Sequence, residues 1–144
     1  MKAPLEKHVQ RAVIDYLNTR GITTAHVPNG SVLAGDAKAR AMQTNALKRN
    51  GMRPGFPDLI ALASGGRCGF LEVKREGEKL GEAQVHWAGA LEHMGHRHAV
   101  VRSVADVEET LERWGWNDCD GPRPIGEIFQ RVLADIKSKM EGVE

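Results

Sequence analysis

Several common structural aids are scarce in this chain. Only two cysteines, Cys68 and Cys119, occur in 144 residues, and they lie too far apart in sequence to make a metal-ligand pair. A reducing, cytoplasmic setting is expected. No apolar run approaches the roughly 18 residues of a membrane helix, and no signal peptide heads the chain, so a membrane is not an expected partner. Neither sign of charge dominates: 20 Lys and Arg face 19 Asp and Glu, for a net charge of +1. Any basic surface must therefore be local. Internal repeats, a Walker-type glycine loop, a Ser/His/Asp arrangement and a coenzyme fingerprint are all missing.

What is present fits one soluble α/β domain. Hydrophobic residues make up 41% and charged residues 27%, ordinary values for a globular protein large enough to bury a core without disulfides. Pro4 to Arg20 reads as a helix, with Leu5, Val9, Ala12, Val13, Tyr16 and Leu17 at helical spacing, Pro4 in the first turn and Gly21 as a stop. Ile22 to Val27 is β-prone and ends at the turn signal Pro28-Asn29-Gly30. Residues 31–36 read as a loop, and Ala37 to Asn50 as a helix punctuated by Asn50-Gly51. Two strands follow, Asp58–Ala63 and Cys68–Lys74, joined across Ser64-Gly65-Gly66-Arg67. Arg75 to Gly81 is a loop. A helix over Glu82–Met94 places Val85, Ala88 and Leu91 on one stripe, and His98–Arg102 is a further strand. Ser103 caps a helix that runs to about Trp114. Strands alternating with helices predict a mixed sheet flanked by helices. Residues 115–123 break the pattern. Ile125, Ile128, Phe129, Val132, Leu133, Ile136 and Met140 then mark an amphipathic C-terminal helix. The chain thus divides at 1–114 and 115–144, with the last helix expected to pack on the core or on a second subunit.

The chemistry concentrates in the paired strands. Glu72 and Lys74, two apart, share a face of their strand, and Leu71 and Val73 point the other way into a core. For Asp58 to share the face of Glu72, the hairpin must pair it with an even-numbered position, which demands an odd-length loop or a bulge. Two carboxylates suit a hard divalent cation, which takes oxygen ligands and keeps several waters; the main-chain carbonyl of Val73 would be a third protein ligand. Such a cation polarises a scissile phosphate and lowers the pKa of bound water. Lys74 would position or deprotonate that water, or stabilise the transition state. The pattern alone also fits an edge strand with a solvated Glu and Lys. Three additions favour the site: the Gly55-Phe56-Pro57 lead-in, the apolar Leu59-Ile60 and Phe70-Leu71, and Gln84 at the start of a helix.

The run Gly51-x-x-Pro54-Gly55-Phe56-Pro57-Asp58-Leu59-Ile60, then Phe70-Leu71-Glu72-Val73-Lys74, then Leu80-x-x-x-Gln84-x-x-Trp87, resembles the VRR-NUC family of the PD-(D/E)XK nuclease superfamily. Gly95 to Ser103 matches that family's last strand, and the resemblance spans roughly residues 5–113. Small stand-alone members, many encoded by bacteriophages, are similar in length and order of elements. The resemblance implies a restriction-endonuclease-like core in which Asp58 and Glu72 bind Mg²⁺ or Mn²⁺, Lys74 is the catalytic lysine, and Gln84 supports the site. Glu6 matches the family's acidic residue in the first helix; a solvated glutamate favoured by the helix dipole remains an equal reading. The resemblance further implies a structure-selective nuclease acting on branched DNA such as four-way junctions, often as a homodimer, in the cytoplasm of a bacterial host.

Local positive charge is available for phosphates in Lys38, Arg40, Lys48, Arg49 and Arg53, with Arg75 and Lys79 after the second strand, although a solvated helix face explains the first group as well. Asn29 and Gly30 offer close backbone approach to DNA. The histidines His93, His96 and His98 straddle a helix end and make no zinc pattern. Trp87, Trp114 and Trp116 read as core or interface anchors. A metal-dependent deoxyribonuclease is the expectation; the alternatives are a non-catalytic nucleic-acid-binding module or nuclease subunit of the same fold and a sequence-specific restriction-type enzyme.

Overall fold

Four strands form the sheet in the order β1-β2-β3-β4, seen in a computed structural model that describes residues 2–28, 33–119 and 125–142. The elements run α1 (Glu6–Thr19), β1 (Thr23–His26), α2 (Ala37–Arg49), β2 (Leu59–Ala63), β3 (Arg67–Val73), α3 (Glu82–His93), β4 (Arg97–Val101), α4 (Val104–Trp114) and α5 (Ile125–Glu141). The first two pairings are antiparallel and the third is parallel, so the sheet is mixed as expected. The parallel step needs a crossover, which α3 supplies.

The odd-numbered face carries the core. Leu59 and Ala61 of β2, Leu71 and Val73 of β3, and Ala99 and Val101 of β4 are sealed beneath Val9, Val13 and Leu17 of α1 and Val107, Leu111 and Trp114 of α4. On the opposite face Phe56 packs edge-on against Phe70 at 5.6 Å and against Trp87 of α3 at 5.2 Å. Gly69 has no room for a side chain, since a Cβ there would strike the Trp114 ring.

Register β2–β3 settles the parity question. Ala63 pairs with Arg67 and Leu59 with Leu71, leaving the three-residue loop Ser64-Gly65-Gly66. Arg67 therefore belongs to the strand, and the loop is one residue shorter than the sequence reading. Its odd length sets position 58 opposite position 72. Gly65 and Gly66 both take positive φ, which a side chain there would resist.

Three boundaries or faces differ from expectation. Leu5 is the N-cap of α1, so Pro4 precedes the helix, and Leu5 and Ala12 lie outside its buried stripe of Val9, Val13 and Leu17. In α3 the face turned inward is Gln84, Trp87, Ala88 and Leu91, at helical spacing, while Val85 is exposed. Alanine and glutamine carry too little hydropathy to mark that face. Helix α2 buries none of its residues. In α5, the residues Phe129, Val132, Leu133, Ile136 and Met140 are all exposed, which leaves a second subunit as the expected partner of that face.

Candidate active site

Asp58 is delivered by a stiff lead-in. The turn Arg53-Pro54-Gly55-Phe56 closes with Phe56 N–H donating to the Arg53 carbonyl at 3.1 Å. Gly55 holds φ +77°, and a Cβ there would lie 2.5 Å from the Ala83 carbonyl carbon. Only glycine lets this turn press against the first turn of α3. Buried Pro57 follows, and the Asp58 carbonyl accepts from Val27 N–H at 2.8 Å, extending the β1–β2 ladder by one bond. With its main chain so used, Asp58 turns its carboxylate toward β3, where Oδ2 accepts from Val73 N–H at 2.8 Å.

Glu72 faces that carboxylate from the middle of the sheet. It is 2% exposed, and its Oε1 accepts from Gln84 Nε2 at 2.6 Å. Gln84 also accepts from Gly81 N–H at 2.8 Å through its own Oε1, so one side chain closes the start of α3 and pins Glu72. Burial, then the charge of Asp58 and a hydrogen bond shared with it, push the Glu72 carboxyl up to about 8. Two carboxylates in contact inside a low-dielectric site repel one another unless a proton or cation joins them. Lys74 lies at the end of β3, tied there by its N–H to the Val101 carbonyl at 3.0 Å. Its Nζ stands 3.8 Å from Glu6 Oε2 of α1, with the lysine side chain 13% exposed. The Glu6 carboxyl is itself raised, chiefly by burial and against the opposing pull of Lys74.

This donor set is all oxygen with a single ammonium beside it, which suits a hard cation such as Mg²⁺ or Mn²⁺ and no soft metal. Among the described residues no group of three or more His, Cys, Asp and Glu side chains is arranged to hold a metal ion. Asp58 and Glu72 would therefore leave most of a coordination sphere to main chain, water and substrate phosphate, the usual habit of Mg²⁺.

Comparison with known proteins identifies the family. The VRR-NUC domain matches residues 5–105, well over half of the chain. The chain belongs to the VRR-NUC family. No curated protein matches it. A solved structure described as a VRR_NUC domain protein superposes with a TM-score of 0.59 at 20% identity, covering 85% of this chain and 96% of that one. At that identity the likeness speaks for the fold, a restriction-endonuclease-like mixed sheet. Membership in a family of PD-(D/E)XK nucleases carries a nuclease-type function, with DNA as the substrate class.

Asp58, Glu72, Lys74, Gln84 and Glu6 of this VRR-NUC chain all come to one place. The cationic residues take no part in those contacts. Lys38, Arg40, Lys48, Arg49 and Lys79 are exposed, whereas Arg53 donates to the Lys48 and Met52 carbonyls at the end of α2. Arg75 pairs with Glu78 at 2.5 Å. Asn29 and Gly30 lie outside the described residues. His86, His93, His96 and His98 form no metal group; the His96 ring packs on Phe70 at 5.7 Å, and burial lowers the pKa of His98. Sequence reading passed over Glu78, whose carboxyl shares a hydrogen bond with Glu6, and no local pattern announces such a loop residue. It also passed over Gln10 and His26. Gln10 was legible, since it lies one helical turn from Glu6 and thus on the same face.

Proposed function

We propose that the chain is a divalent-metal-dependent endonuclease that hydrolyses phosphodiester bonds of branched or otherwise structured DNA, four-way junctions included, and works as a homodimer. The observation that carries the chemistry is buried Glu72 held against the half-buried Asp58 carboxylate, with Lys74 beside them. A pair that costs stability when charged calls for a cation. The exposed residues Lys38, Arg40, Lys48, Arg49 and Lys79 would supply sequence-independent phosphate contacts, with Arg53, Arg75, Asn29 and Gly30 as further candidates. Branched DNA and the homodimer are carried by likeness to stand-alone members of the family.

In this reading Asp58, Glu72 and the Val73 carbonyl hold Mg²⁺ or Mn²⁺. Bound there, the ion would supply charge neutralisation at the scissile phosphate and a lower pKa for water. The chain does the rest. Val73 N–H fixes the Asp58 carboxylate, and Gln84 fixes that of Glu72. Glu6 holds the Lys74 ammonium at the site, where it orients the attacking water and balances negative charge that develops on the phosphate. Burial of Glu72 keeps bulk water from competing for the same donors.

The test is incubation with supercoiled, linear and four-way-junction DNA in Mg²⁺ or in EDTA. Mg²⁺-dependent cleavage that favours the junction, and falls by a factor of a hundred or so in Lys74→Ala (about 3 kcal/mol of transition-state stabilisation), is expected. Binding without cleavage, unaltered by that substitution, would instead identify a non-catalytic module. Cutting linear duplex at one fixed sequence would point to a restriction-type enzyme.

A further inference from the structure

Beside the carboxylates an open groove of about 670 Å³ runs along α1 and the start of the sheet, lined among others by Glu6, Lys7, Gln10, Arg11, His26 and Asp58. It places the acidic site and two cations on one continuous surface. Lys7 and Arg11 are both exposed, and among the described residues neither has an ion-pair or hydrogen-bond partner. They stand four apart on α1, hence about 5–6 Å apart at Cβ on one face of the helix. Lys7 directly follows Glu6, whose carboxylate meets Lys74. The groove is also held in place. His26 Nδ1 sits 3.1 Å from the Asp58 carbonyl and 3.3 Å from the Gln10 side-chain amide. A carbonyl oxygen only accepts, so the first contact puts the ring proton on Nδ1, and Gln10 Nε2 then lies beside that nitrogen as a packing contact. Through this bridge α1 is tied to the backbone of the residue that carries the first carboxylate.

We infer that Lys7 and Arg11 form a phosphate track that seats the DNA strand leading into the carboxylate site, with the Gln10–His26–Asp58 bridge fixing its distance from that site. An exposed cation without a partner keeps its charge free for counterion exchange with a backbone phosphate. Two such cations at helical spacing beside the site accept neighbouring phosphates of a single strand. The basic residues of α2, by contrast, lie on a helix with no buried residue and line no part of this groove. This inference rests on the nuclease reading for the identity of the ligand.

The experiment measures equilibrium binding of the full chain to a fluorescent duplex and to a four-way junction in EDTA, over a series of salt concentrations. Lys7→Ala/Arg11→Ala is compared with Lys137→Ala/Lys139→Ala, which removes the same charge from α5, a helix that does not line the groove; thermal melts confirm that both fold. The groove variant should bind about tenfold more weakly or worse near 0.1 M salt. Its log–log salt slope should fall by about 1.8, two phosphate contacts at about 0.9 each. The α5 variant should keep the wild-type slope. Equal losses in the two variants, or an unchanged slope in the groove variant, would overturn the track. Wild-type binding without Mg²⁺-dependent cleavage would sink the nuclease reading alone, because the salt slope is read without metal.

Discussion

The two faces of β3 reach the same depth and do opposite work. Leu71 and Val73 on one face are sealed in the apolar core at 1% and 0% exposure, and Glu72 on the other is 2% exposed. Burying the first pair stabilises the fold, since apolar area leaves water. Burying the glutamate opposes folding, since a charge leaves water next to another of the same sign. One strand with a two-residue period thus carries the main stabilising contacts of the sheet and its costliest polar group side by side. Depth alone does not distinguish a core from a site; the neighbours do.

Four substitutions and a pH series test this contrast. Leu71→Ala should have the largest effect, a loss of about 2–5 kcal/mol from a site that cannot collapse easily, read by urea unfolding. A loss under 1 kcal/mol would mean that the apolar face is not the main support. Glu72→Gln keeps shape and hydrogen bonding but removes the carboxyl whose ionisation favours the unfolded chain, so the metal-free protein should melt at higher temperature while Mg²⁺-dependent cleavage disappears. The pH dependence follows from the sign of the shift. With its folded value raised from 4.5 to about 8, the native carboxyl keeps a proton that the unfolded chain has released. Metal-free wild type should therefore lose stability as pH rises through that window, and Glu72→Gln should lose the part of that slope due to Glu72; equal slopes would refute the contrast. Gln84→Ala strands a buried acceptor and opens the start of α3, at a cost of about 1 kcal/mol, together with a clear fall in activity that a purely structural cap would not cause. The smallest effect concerns His98, on the same face as Phe70. Burial lowers its pKa, so the unfolded chain takes up a proton first as pH falls below about 6.5, and stability drops. His98→Gln should remove that part of the acid slope in thermal melts.

Much of this was legible in the sequence because it depends on period and parity. The alternation at Leu71, Glu72, Val73 and Lys74 fixed which side chains share a face, and the glycines of the hairpin allowed the odd loop that opposes 58 to 72. Helix starts were legible where a cap advertised them, as at Ser103, whose hydroxyl accepts from Asp106 N–H at 3.2 Å. What failed was orientation of weakly patterned helices. Val85 looks like a core residue by hydropathy, yet the helix turns Gln84 inward because Glu72 offers it a hydrogen-bond partner that only the fold brings near. Likewise α4 and α5 are both amphipathic in sequence. Only α4 finds the sheet, burying Val107, Leu111 and Trp114, and nothing in the spacing of Phe129, Val132 and Ile136 told their exposure apart from burial. The bridge from Gln10 through His26 to Asp58 joins residues up to 48 apart in sequence, a contact created by strand pairing alone.

The three-residue tip of the hairpin has a consequence for how such a chain tolerates change. Surface tips are ordinarily where insertions and deletions are harmless. Here the count of residues in Ser64-Gly65-Gly66 decides which side of the sheet Asp58 addresses, since a slip of one residue reverses every side chain of a strand. Adding or removing a single residue at this remote, solvent-facing loop would part Asp58 from Glu72 as surely as replacing either of them, unless a bulge absorbed it. Adding two would preserve the arrangement. The loop can therefore drift in composition within what positive φ permits, and in length only by even steps, so that an inactivating lesion can arise far from any residue that touches substrate.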